Sequence, residues 1–232
     1  MNPAVLRRLT SARGFTLTEM AVVLVIVALL IASLVIPLSA QQDIRARQET
    51  EKALADIREA LLGYAASHAA GDGKPYLPCP DTDDDGLENR TAGACTGGIQ
   101  EGRLPWADLG LGRNDAWNNR FRYRVTAAFS NSTAGFTLAS AGNLTVCADS
   151  ACAATIAGNV PAVVLSHGAN GAGAFNLSGG TNPAPTDANE LENTDSDDTL
   201  VSRTSDAGFD DLVTWVPPTV LMNRMITTGK LP

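Results

Sequence analysis

Arg13-Gly14-Phe15-Thr16-Leu17-Thr18-Glu19 runs straight into MAVVLVIVALLIASLVIPL, residues 20–38, and this junction decides how the rest of the chain must fold. The run holds 19 residues without a charge. A helix of about 20 apolar residues crosses the hydrocarbon core of a bilayer. Beyond it the sequence turns rich in Gly, Ala, Ser, Thr, Asn and Asp, so one segment belongs in a membrane and the rest in water. Arg7, Arg8 and Arg13 precede the run, and positive charge stays on the cytoplasmic side, which sends everything after about residue 40 across the membrane. A conventional secretory signal also opens on arginines, and Leu38-Ser39-Ala40 reads as a poor cleavage site for one. The apolar core of such a signal spans only about 7–15 residues, and this run is longer.

Gly14, Phe15 and Glu19, with Thr16 and Leu17 between them, resemble the processing site of type IV prepilins and pseudopilins. In that family a short basic leader ends in Gly, the mature chain opens on Phe, and its fifth residue is Glu. The resemblance implies that a prepilin peptidase cuts after Gly14 and methylates the new amino group of Phe15. It implies further partners: other pilin or pseudopilin subunits in a helical filament, and an inner-membrane assembly platform. The expected location is the inner membrane, single-pass, with the N-terminus cytoplasmic and the globular part periplasmic before assembly into a periplasmic or extracellular filament. A carboxylate at the depth of Glu19 costs roughly 2–3 kcal/mol. Either Glu19 sits among lipid headgroups, or it meets the amino terminus of Phe15 on a neighbouring subunit and sets the axial register.

The formal charge is −8, and loss of the three leader arginines takes the mature chain to −11. Nucleic acid is therefore not an expected partner, since phosphate binding needs a basic face. Cys79, Cys95, Cys147 and Cys152 form an even set confined to the part after the apolar run, as an oxidising compartment permits. Cys79 with Cys95 would clamp the acidic stretch between them, and Cys147 with Cys152 would close a tight turn.

Residues 41–70, with strong helix formers throughout and no Gly before Gly63, extend the helix beyond the membrane. Ile44, Leu54, Ile57, Leu61 and Ala65 recur at helical spacing, a stripe that needs a sheet to cover it. The helix would span about 55 residues, about 80 Å, with a bend or weak turn at Pro37. Strands are expected at 120–125, 162–166 and 211–216, and more weakly at 136–138 and 144–147. The fold class is α+β: a long N-terminal helix, transmembrane then amphipathic, packed on a small antiparallel β-sheet in the manner of pilins. The layout is leader 1–14, membrane and filament-core helix 15–40, amphipathic helix 41–70 and globular domain 71–232, with a flexible insertion at about 178–207.

Asp115-Ala116-Trp117-Asn118-Asn119-Arg120-Phe121-Arg122-Tyr123 is similar to the D-x-W-G-N-x-[FY]-x-Y stretch of major type II secretion pseudopilins, with Asn118 where Gly is usual. Ser166-His167-Gly168-Ala169-Asn170-Gly171 is similar to that family's S-x-G-x-D-G loop, with Asn170 in place of Asp. Asp210-Asp211-Leu212-Val213-Thr214-Trp215 resembles its D-[IL]-x-x-W strand, although about 40 residues separate the two pieces instead of a short loop. The resemblance implies a structural calcium near Asn170, Asp210 and Asp211. A second calcium candidate is read from the residues themselves. Asp81-Thr82-Asp83-Asp84-Asp85-Gly86-Leu87-Glu88-Asn89 is a D-x-D-x-D-G run in which Asp81, Asp83 and Asp85 converge on one ion, Leu87 lends a carbonyl and Asn89 completes the shell. The alternative is a solvated acidic turn. With only His68 and His167 to offer, zinc is not expected.

No nucleophile, base and orienter stand at recognisable spacing, so an enzyme is not expected. Two functions remain: a filament subunit, or a minor tip subunit on the same anchor that binds a substrate or surface.

Overall fold

The computed structural model describes residues 14–232, without the side chains of 32–40. Arg7, Arg8 and Arg13 of the leader lie outside the described residues. The chain divides into two compact units, Met1–Ile44 and Arg45–Pro232.

Helix α1 (Leu17–Ser67) begins in the first unit and ends in the second, within the 15–70 expected from the sequence. Its start is fixed by a reciprocal cap. The Glu19 amide donates to Thr16 Oγ1 at 3.2 Å, and Glu19 Oε2 accepts from the Thr16 amide and hydroxyl, both at 2.8 Å. Thr-x-x-Glu satisfies backbone donors that the first helical turn leaves open. The helix runs on through residue 37, so Pro37 does not end it, and the bend read there falls on side chains outside the described residues. Among the described residues no helix is long and apolar enough to cross a membrane. The apolar run 20–38 continues past residue 31 into that same undescribed stretch, so the span read at 15–40 is not met by the described residues alone.

In the second unit, Leu54, Ile57, Leu61, Leu62 and Ala65 of α1 are buried against one face of an antiparallel sheet. Ile44, counted in that stripe from the sequence, is 57% exposed and belongs to the other unit. The sheet follows the order β3 (Glu101–Arg103), β4 (Arg122–Val125), β7 (Ala162–Ser166), β9 (Leu212–Trp215). Strands alternate their side chains between faces. Thus Tyr123, Val125, Ala162 and Val164 join the α1 core, whereas Arg122 and Arg124 point to the other face and share Glu101. Helix α4 (Pro218–Thr227) opens on a proline suited to a first turn and adds Leu221 and Met225, one turn apart, to the same core.

Every residue of β7 is buried because its second face is also covered. Val163 and Leu165 pack with Leu144, Val146, Val160 and Leu200. These come from a second sheet ordered β6 (Thr155–Val160), β5 (Leu144–Cys147), β8 (Thr199–Val201), where β5 and β8 run parallel. The single antiparallel sheet read from sequence is therefore one of two larger sheets, beside a short ladder of β1 (Arg90–Thr91) and β2 (Ala94–Cys95). Residues 136–138 form no strand; Phe136 instead packs on Phe129 within the core. The stretch 178–207, read as a flexible insertion, carries α3 (Ala188–Glu192) and β8, and buries Glu190, Asn193, Leu200 and Val201. Polar composition hid this, because the few apolar side chains sit at the places that pair. A short helix α2 (Trp106–Leu109) precedes β4, and both disulfides, Cys79–Cys95 and Cys147–Cys152, are formed.

Candidate functional site

At the N-terminal end Gly14 precedes the capped start of α1, and Phe15 stands exposed beside it. Leu24 and Leu29, 65% and 67% exposed, typify an apolar helix whose Val22, Val23, Val25, Ile26 and Ile31 are also largely open to solvent. Such a surface is far more apolar than a monomer ordinarily leaves in water.

In the globular unit the three loops of the pseudopilin resemblance lie together. Asp115 Oδ1 accepts the amides of Trp117 and Asn119 at 3.0 and 2.9 Å, and Ser166 Oγ donates to Asp115 Oδ2 at 2.6 Å. Asn118 adopts φ +68°, the left-handed turn that its glycine counterpart would take without strain. Burial pushes the Asp115 carboxyl up from its ordinary value, opposed by the Ser166 and backbone hydrogen bonds. Gly168, at φ +57°, packs so tightly on Asp210 that a Cβ there would stand 2.4 Å from the Asp210 carbonyl oxygen.

Against this junction α3 brings a carboxylate that the sequence reading missed. Glu190, Asp210 and Asp211 each offer an oxygen within 4.8 Å of the others. Glu190 is 3% exposed and accepts from the Asp210 amide at 2.9 Å and from Asn170 Nδ2 at 2.9 and 3.1 Å. Burial raises its pKa, and the charges of Asp211 and Asp210 raise it further. Asp211, also 3% exposed, accepts from Asn193 Nδ2 at 2.7 Å through Oδ2. Its Oδ1 is buried without a hydrogen-bond partner, as is Oδ1 of Asp210. His167 is buried beside them. Arg122 Nε donates to His167 Nε2 at 3.1 Å, so Nδ1 carries the proton of a neutral ring and lies 3.5 Å from Asp211 Oδ1. The oxygen-only donor set, with two orphaned buried carboxylate oxygens, fits a hard cation such as calcium. Asn170, read as a ligand, turns its amide nitrogen toward Glu190 and acts here as a donor. A signal for α3 was present in the sequence, since Asp187 and Glu190 have the spacing of a helix N-cap and its N3 carboxylate, and Asp187 does cap the Asn189 and Glu190 amides.

The acidic run 81–89 also folds into a loop. Oxygens of Asp81, Asp83 and Asp85 lie within 4.8 Å of one another, and Gly86 turns at φ +89° with its Cα against the Trp106 ring. Asp81 is buried, and its two oxygens accept the amides of Asp83, Asp84 and Gly86 at 3.1, 2.7 and 2.8 Å. Asn89 Oδ1 accepts from the Thr82 amide and hydroxyl, and Leu87 is exposed with its amide on Asp85 Oδ1. Between the alternate carboxylates, Asp84 collects Arg120 at 2.8 Å, Arg113 at 3.0 Å and Arg103 at 3.5 Å. Those guanidinium groups hold its pKa down, Arg120 foremost, and bring positive charge to the loop.

Cys79 and Cys95 clamp the segment that contains this loop. His68 stacks on Tyr64 at 3.8 Å, while Trp106 and Trp117 pack against the main core and Trp215 against the second. A cleft of about 680 Å³ opens beside Glu190, bordered by Asn170, Pro185, Asp187 and Gly208.

No curated protein and no solved structure matches the chain. Residues 9–35 match the model of the prokaryotic N-terminal methylation motif, which covers the junction from the leader into α1 and leaves the globular unit unassigned. The chain carries a motif that fits the type IV pilin and pseudopilin family, a substrate of prepilin peptidase built on an α+β fold with a long N-terminal helix.

Proposed function

We propose that the chain is a structural subunit of a type IV pilus-like or type II secretion pseudopilus filament, with no catalytic role. One observation carries the reading: the methylation motif leads into a capped helix whose first turns, from Leu17 to Ile31, leave their large apolar side chains largely exposed. Apolar surface of that extent is stable only in lipid or against other helices. The same face therefore serves twice, holding the precursor in the inner membrane with its globular part periplasmic, then packing against neighbouring subunits as an assembly platform feeds the filament. Cleavage between Gly14 and Phe15 would free an amino group a few residues from Glu19. In the isolated chain Glu19 caps its own helix through Thr16; in the filament it would turn to the Phe15 amino group of a neighbour.

The test is the N-terminus of the mature protein. Intact-mass analysis should find a chain beginning at N-methylated Phe15, and Gly14→Glu should accumulate as uncut precursor in the membrane. A mature chain that begins at Gln41 would overturn the reading and make residues 1–40 a conventional signal.

A further inference from the structure

We propose that the open edge of β9 is a docking slot for an extended acidic segment of another protein, which adds as a further strand between α1 and Ser202-Arg203. The slot belongs to the globular unit alone, whether or not the chain assembles into a filament.

The four-stranded sheet closes one of its edges and leaves the other open. Beyond β3 the chain folds back on itself: Asp81 and Arg103 form an antiparallel bridge and exchange both backbone hydrogen bonds, at 2.9 and 2.8 Å. At the opposite edge β9 pairs with β7 and with no other strand. Its register fixes which groups are left over. The Val216 amide donates to the Ala162 carbonyl at 2.9 Å, so Thr214, two residues earlier and opposite Val164, also turns its backbone groups to β7. Val213 and Trp215 therefore direct amide and carbonyl away from the sheet, where among the described residues no partner meets them. Leu212–Trp215 carries no charge, proline or bulge, the devices that ordinarily blunt an edge.

A cavity of about 320 Å³ opens along this edge, lined by Leu212, Val213 and Thr214 and by Leu54 and Ala55 of α1. Arg47, Arg58 and Arg203 border it, against Glu51 and the buried Asp211. Arg47 pairs with Glu51 at 3.0 Å and Arg203 with Asp206, whereas Arg58 has no ion-pair partner among the described residues. In a chain of formal charge −8, three guanidinium groups beside an unpaired strand set the sign of the occupant. Strand addition draws affinity from main-chain hydrogen bonds and specificity from alternate side chains. Leu212 joins the α1 core while Val213 and Trp215 pack with the second core, so every other side chain of an added strand turns toward α1, where Arg47 and Arg58 stand. The occupant thus carries carboxylates at alternate positions. This chain's own acidic run does not serve, because Arg124 holds the Ser196 carbonyl and Asp198 at 2.8 and 2.7 Å, and β8 follows at once.

The full-length protein in neutral detergent is titrated with a fluorescein-labelled peptide of alternating glutamate and valine, and with its lysine counterpart, while hydrogen exchange is followed in peptides covering 211–216. Wild type should bind the glutamate peptide alone, more weakly as salt rises, and exchange over 211–216 should slow about tenfold or more. Val213→Pro should abolish binding, since the ring removes the outward amide; an edge strand tolerates this because no bond to β7 is lost. Arg58→Glu should weaken the glutamate peptide at least about tenfold and admit the lysine peptide. If Val213→Pro fails to fold, Arg58→Glu decides in the same way. Absence of binding by wild type would overturn the proposal, as would equal binding of the two peptides or binding that survives both substitutions. Self-association of wild type that Val213→Pro removes would overturn it too, by making a second copy the occupant.

Discussion

Asp115 shows how one side chain organises a junction. It receives two amides and the Ser166 hydroxyl in a buried setting, so Asp115→Ala strands three donors and should cost about 3 kcal/mol. Asp115→Asn keeps an acceptor for the amides and should cost about 1 kcal/mol. The pH dependence has a definite sign. Burial raises the Asp115 carboxyl above its ordinary value, so the folded state holds the proton more tightly than the unfolded chain. Its contribution is complete below the unfolded pKa and is lost as pH rises through the folded one. Denaturant titrations should therefore show the gap between wild type and Asp115→Asn narrowing as pH rises above the ordinary carboxylate range; a widening gap would mean that hydrogen bonds outweigh burial. Glu19 is a second single-residue test. Its bonds to Thr16 are local, so Glu19→Val should weaken the helix start by about 1 kcal/mol yet leave cleavage after Gly14 intact. Incorporation into filaments, measured beside wild type, should fall much further than fraying explains, and equal incorporation would remove the pairing role. At this scale the left-handed turn at Asn118 could be read from its glycine-like place, whereas Glu190 could not be tied to Asp211 because nothing local links two residues that meet only in three dimensions.

Helix α1 was the most legible element, since its apolar stripe repeats at a fixed period over many turns. Even so, periodicity cannot say where the covering sheet stops. Leu61 is buried in the core whereas Ile44 is open, so thermal unfolding should place Leu61→Ala about 2–5 kcal/mol below wild type and Ile44→Ala within about 0.5 kcal/mol of it. A comparable loss from Ile44→Ala would mean the sheet reaches further along the helix. Strands β4, β7 and β9 were legible because each alternates or runs apolar for several residues. Strands β3, β6 and β8 were not: β3 contains Glu101, Gly102 and Arg103, most of β6 is exposed, and β8, within the 178–207 segment, gains its place by pairing with the distant β5. Pairing at long range overrides weak local preference.

For the molecule as a whole, the division into an apolar helical start and a water-facing globular unit was plain from the sequence, because composition changes abruptly at about residue 40. The second sheet and the role of α4 were not, since both depend on residues far apart in the chain. The contribution of α4 also dictates an order of events. Leu221 and Met225 close the core over Leu54, Ile57 and Leu61, and Arg224 reaches Glu59 at 3.0 Å from 165 residues further along. Ribosomes add about 5–20 residues per second, so roughly 10–30 s separate the synthesis of the helical stripe from that of the helix that seals it. Throughout that interval a nascent chain offers its sticky flank to any neighbour. The buried stripe of the helix therefore waits for its last cover until Pro218–Thr227 emerges, so a chain cut short before that point should leave it open and aggregate more readily than the whole.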